Sequence, residues 1–70
     1  MPKYPNLDCM DVTDVEAYAF RPGNPPELRE YASTKLLAMR ARLRGDIATA
    51  MKWEAIADKQ YDALPPEMKW

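Results

Sequence analysis

Between residues 27 and 64 no proline interrupts the chain, and apolar side chains recur there at helical intervals. Leu28, Ala32, Leu36, Met39 and Leu43 follow one another at steps of four, four, three and four, while Arg29, Glu30, Ser33 and Arg40 mostly take other faces. The spacing predicts an amphipathic helix over about 25–43. Asn24 is its expected cap, Pro25 suits a first helical position where an N–H would lack a partner anyway, and Glu27 stands near the positive end of the helix dipole. Arg40, Arg42 and Arg44 crowd the last turn, where cations favour the exposed carbonyls, and Gly45 can take the left-handed conformation that ends the helix. Asp46 is then placed to cap a second helix over about 47–63, with Ile47, Ala50, Met51, Ala57, Tyr61 and Leu64 on one side. So short a connection makes the pair an antiparallel hairpin, in which Met39 and Met51 are expected to face each other across the core.

The second helix carries a further, partly apolar side made by Trp53, Ile56 and Gln60, and its alanines allow another backbone to come close. A lone hairpin has no use for two such sides. Before it, residues 1–24 form an acidic head in which Thr13-Asp14-Val15-Glu16 has capping-box spacing and predicts a short helix over about 14–19. Val12, Val15, Tyr18 and Phe20 can fold this head back as a third layer, and Arg21-Pro22-Gly23-Asn24 reads as a turn. Pro65-Pro66 stops the hairpin, which leaves residues 65–70 as a tail, docked or frayed. The fold class expected is all-α: an antiparallel helical hairpin with a short N-terminal helix, completed into a bundle by homodimerisation.

Composition narrows the chemistry. Seventy residues suffice for one domain, and a formal charge of −1 gives no general attraction to nucleic acid. With no histidine and one cysteine the chain lacks the ligands of a usual zinc site, so no metal, cofactor or catalytic residue is assigned and the protein is read as non-enzymatic. Asp11 and Asp14 have no neighbouring base or phosphate-cradling glycine loop, and Cys9, without a nearby cation, reads as a small apolar filler. No apolar run approaches the ~20 residues of a membrane span, and Met1-Pro2-Lys3-Tyr4-Pro5 lacks the apolar stretch of a signal peptide, so a cytoplasmic location without membrane contact is expected.

Charge is segregated along the chain. Asp8, Asp11, Asp14 and Glu16 lie in the head with no cation between Lys3 and Arg21, whereas Lys35, Arg40, Arg42 and Arg44 gather towards the hairpin bend. This polarity can fix the head to its own hairpin or to a neighbouring subunit. Two other uses stay open: contact with a nucleic-acid backbone through those four cations, and capture of a small anionic ligand such as a nucleotide by the arginines with Tyr18, Tyr31 or Tyr61. Gly45-Asp46 with Ala50 and Ala57 resembles the turn and second helix of a tetratricopeptide hairpin over 44–57, but Thr34 and Glu54 stand where that family has aromatics.

A chain this short gains only ~3–5 kcal/mol from one core, which points to a partner. The acidic head, the capped hairpin and the Leu64-Pro65-Pro66-Glu67-Met68-Lys69-Trp70 end together resemble small helical-hairpin proteins of bacteriophages and prophages. The resemblance implies an inhibitor or modulator of a host protein. The partner-binding residues expected are Trp53, Arg40, Arg42, Arg44 and Trp70, and Met51, Ile56, Ala57 and Gln60 are expected at the interface of a homodimer.

Overall fold

The computed structural model describes residues 4–70, so the reading of Met1, Pro2 and Lys3 lies outside the described residues. A 3₁₀ turn at Leu7–Cys9 leads into α1 (Val12–Ala19), α2 (Pro26–Leu43) and α3 (Ile47–Asp62), and a second 3₁₀ turn at Pro66–Met68 closes the chain. No strand occurs among the described residues, and α2 packs against both other helices. The chain is all-α.

Local chemistry explains each boundary, and two differ from expectation. α1 is capped by Asp11, whose carboxylate accepts from the Asp14 N–H at 2.9 Å, so the helix starts before Thr13 can act as its cap. α2 has no side-chain cap: Pro25 is extended (φ −56°, ψ 137°) and Pro26 opens the helix. A residue followed by proline is pushed out of the α region, so Pro25 cannot itself be helical. Asn24 instead donates from Nδ2 to the Tyr18 carbonyl at 2.9 Å, tying the end of α1 to the start of α2. At the other end of α2 the expectation holds. Gly45 sits at φ +81°, the Asp46 N–H reaches back to the Ala41 carbonyl at 2.9 Å, and the Gly45 N–H to that of Arg42 at 3.0 Å. These two bonds make a Schellman motif, and the Asp46 carboxylate then caps α3 through the Thr49 N–H at 3.2 Å.

Leu7, Val15 and Leu28 are fully buried at the centre of the core, each contributing about 1.5–3 kcal/mol by leaving water. Tyr18, Tyr31, Ala32, Leu36, Ala57 and Leu64 surround them. The head therefore folds back as a layer through Val15 and Tyr18, but Phe20 is 72% exposed. Cys9 is exposed and fills nothing. Met39 is half-buried while Met51 is 60% exposed, so the two do not meet in the core. Thr34, Ala38 and Ala41 are buried as well, because α2 is covered from two sides rather than along one stripe.

Candidate functional site

The two broad faces of the α2–α3 hairpin are built differently. On one, Asp8 from the first 3₁₀ turn gathers three donors from distant parts of the chain: Lys35 Nζ at 2.7 Å, the Tyr31 hydroxyl at 3.1 Å and the Trp70 indole N–H at 2.9 Å. Trp70 lies edge-on to Tyr31 and Tyr61, with ring centroids 5.3 and 4.9 Å away, and the Tyr61 hydroxyl donates to its carbonyl. Partial burial disfavours the Asp8 charge, yet the hydrogen bonds from Lys35 and Trp70 and the Lys35 charge outweigh it and hold the carboxyl below its ordinary range. Tyr31 is pushed well above the usual phenol range, first by burial and then by the adjacent Asp8 charge. Head, hairpin and tail thus meet at one carboxylate.

Beside this node is a cavity of about 160 Å³ lined by Asp8, Lys35, Glu54, Asp58 and the rings of Tyr31 and Tyr61, among others. Three carboxylates face one ammonium, which is the wrong balance for a nucleotide or another anion. These carboxylates are not gathered closely enough to hold a metal ion, and no other group of three or more His, Cys, Asp or Glu side chains among the described residues is either.

The acids of the head and of α3 occupy much of the basic bend. Arg40 pairs with Glu16 of α1, and Arg42 grips Glu54 through two nitrogens, Nη2 lying 2.8 Å from Oε1. The hydrogen bond with Arg42 draws Glu54 below its ordinary range and raises Arg42 in return. Arg44 has no ion pair among the described residues, so three of the four cations read as a phosphate-binding set, Lys35, Arg40 and Arg42, hold carboxylates of this chain. Trp70 is half-buried in the aromatic node, with its indole N–H held by Asp8. Ala57 is 5% exposed and belongs to the protomer's own core, because the small side chain sits where α3 crosses α2.

The opposite face carries Trp53, Ile56 and Gln60. Trp53 is half-buried, Ile56 is 43% exposed, and Gln60 is half-buried with its carboxamide oxygen enclosed and without a hydrogen-bond partner among the described residues. An unsatisfied buried acceptor of this kind costs about 1–3 kcal/mol. Leu37 of α2 is 41% exposed and two residues beyond Lys35, hence roughly 200° around the helix from the Asp8 node. A second cavity lined by Glu27, Glu30, Gln60, Ala63 and Leu64 lies along this side. Met51 does not share this face with Ile56: five residues separate them, about 140° around the helix.

A third apolar group sits at the bend. Leu43 ends α2 at 74% exposure, and Ile47 and Met51, one turn apart on α3, are 46% and 60% exposed. Helical periodicity alone assigned all three to the interior; in the structure they are exposed. No protein-family model matches the chain, and neither a curated protein nor a solved structure is significantly similar to it. No helix among the described residues is long and apolar enough to cross a membrane.

Proposed function

We propose that this protein is a small non-enzymatic interaction module that docks a protein partner through the apolar bend of its hairpin. One observation carries the reading: five of the six exposed large hydrophobic side chains lie on the hairpin, and three of them, Leu43, Ile47 and Met51, flank the Arg44-Gly45-Asp46 turn. Clustered apolar exposure marks interaction sites, and an unbranched methionine adapts its shape to the surface it meets. Arg44, with no ion pair among the described residues, adds a cation at its edge. The resemblance to small phage proteins makes a bacterial host protein the candidate partner and inhibition or modulation the candidate outcome.

The test is a quantitative capture comparison. Wild-type protein, a Leu43→Ser/Met51→Ser variant and a Phe20→Ser control are immobilised and challenged with bacterial lysate. A captured protein that disappears with the bend variant and persists with the Phe20 control supports the reading. The same captured set on all three surfaces overturns it. Because the altered side chains are exposed, each should shift folding stability by no more than about 0.5 kcal/mol, so lost capture would not report unfolding.

A further inference from the structure

We propose that the face opposite the Asp8 node, distinct from the bend, is the interface of an antiparallel homodimer whose two-fold axis passes beside Leu37 and Ile56. Helical register arranges this face. On α2 the exposed Glu30, Leu37 and Arg44 recur at steps of seven, with Thr34 and Ala41 beside them buried within the protomer, and on α3, Thr49, Trp53, Ile56, Gln60 and Ala63 recur at steps of four, three, four and three. Two heptad-spaced seams side by side are what one half of a four-helix bundle presents.

Charge selects the partner and its direction. Glu30 stands seven residues before Leu37 and Arg44 seven residues after it, and neither forms an ion pair among the described residues. The two charges are thus about 21 Å apart along the helix, equidistant from Leu37. A two-fold axis lying in the interface and crossing the helices at Leu37 stacks α2 on the α2 of a second copy in the opposite direction. Arg44 of each copy then meets Glu30 of the other, and the Glu27 carboxylate lies one turn further along. An axis parallel to the helices would instead bring arginine to the arginine end and glutamate to the glutamate end, a like-charge arrangement.

The same axis treats α3 consistently. The Arg42–Glu54 pair on the bend side of Leu37 and the cavity that Glu30 shares with Gln60 and Ala63 on its other side bracket the antiparallel register of the hairpin, which puts Leu37 level with about residues 56 and 57. Ile56 then meets Ile56 of the second copy, and Trp53, three residues before it, faces Gln60, four residues after it. Among the described residues the Gln60 carboxamide oxygen has no hydrogen-bond partner, and no hydrogen bond of the Trp53 indole N–H occurs either. An indole is a donor only, and half a turn of the Gln60 carboxamide about its terminal bond brings the oxygen, enclosed in the protomer, outward as the acceptor it needs. From the length of α2 and two helix diameters, the face offers roughly 500 Å² per copy, near the lower bound of a specific interface. A dimer that dissociates on dilution in the micromolar range follows.

Sedimentation velocity over about a hundredfold dilution tests this, read with charge reversals on a Cys9→Ser background. Arg44→Glu should raise the dissociation constant about tenfold or more, and adding Glu30→Arg should restore it to within about threefold of the parent. Restoration also shows that the single variant had not simply unfolded. A Leu37→Cys substitution, next to the axis, should give a covalent dimer on mild oxidation, whereas Met51→Cys should not. A monomer throughout, a dimer indifferent to the reversals, a double variant that fails to recover, or no cross-link at position 37 would each overturn the proposal.

Discussion

The two tryptophans of this protein show how differently the two faces of one hairpin are finished. Trp70 comes from the tail, yet its ring is enclosed by Tyr31 and Tyr61 and its N–H is taken by Asp8, 62 residues earlier. Trp53 sits in the middle of α3, half-buried, beside Ile56 and a glutamine whose oxygen has no partner. The first face is closed by the head and tail wrapping over it; among the described residues neither terminal segment is hydrogen-bonded or ring-stacked onto the second. A residue's place in the sequence, terminal or central, therefore says little about whether it remains available for binding.

The largest expected effect comes from removing what anchors the closed face. Leu7 is fully buried, and Leu7→Ala should cost about 2–5 kcal/mol in chemical denaturation through lost burial and the cavity left behind. A loss below 1 kcal/mol would show that the head is not part of the core and would erase the contrast between the faces. Next comes Asp8→Ala, which leaves the Tyr31 hydroxyl, Lys35 and the Trp70 N–H without their acceptor and should cost about 1–3 kcal/mol. In a Trp53→Phe background, where Trp70 is the remaining tryptophan, its emission should shift to the red in the same variant.

Acid probes the same carboxylate. The folded-state pKa of Asp8 is depressed, so its contribution to stability is fully present above the unfolded value of ~3.9 and is lost as pH falls through the lower folded value. Stability should therefore decline below about pH 4, and the decline should be smaller in Asp8→Ala than in the parent. Equal slopes in the two proteins would mean that other acids carry the effect. The smallest change is expected on the open face. Leu37→Ser should alter protomer stability by no more than about 0.5 kcal/mol when measured at a dilution where any dimer has dissociated.

Much of the hairpin was legible because its signals are local. Gly45 and Asp46 act within one turn of themselves, so the Schellman end of α2 and the cap of α3 follow from residue type and spacing. The caps of α1 and α2 failed where two local rules competed: Asp11 stands ahead of Thr13, and Pro26 forbids a helical Pro25. Periodicity placed Leu28, Ala32 and Leu36 inside correctly but also Leu43, Ile47 and Met51, because a helical stripe does not say how far the neighbouring helix extends along it. The charge segregation between head and hairpin was visible as a pattern. Its partners were not, since Glu16 could have met any of the bend arginines before α1 was laid against α2.

By itself, then, the amino-acid order determined that the chain is helical, where the hairpin turns, and that acids and bases lie in separate segments, because capping, proline and periodicity act over a few residues. Only the tertiary structure decided that Asp8, Tyr31, Tyr61 and Trp70 converge, that Arg40 and Arg42 are taken by acids of the chain while Arg44 is not, and which apolar side chains stay outside. Those outcomes depend on contacts between residues up to 62 positions apart, and a helical pattern holds no information about which of its faces a distant segment will cover.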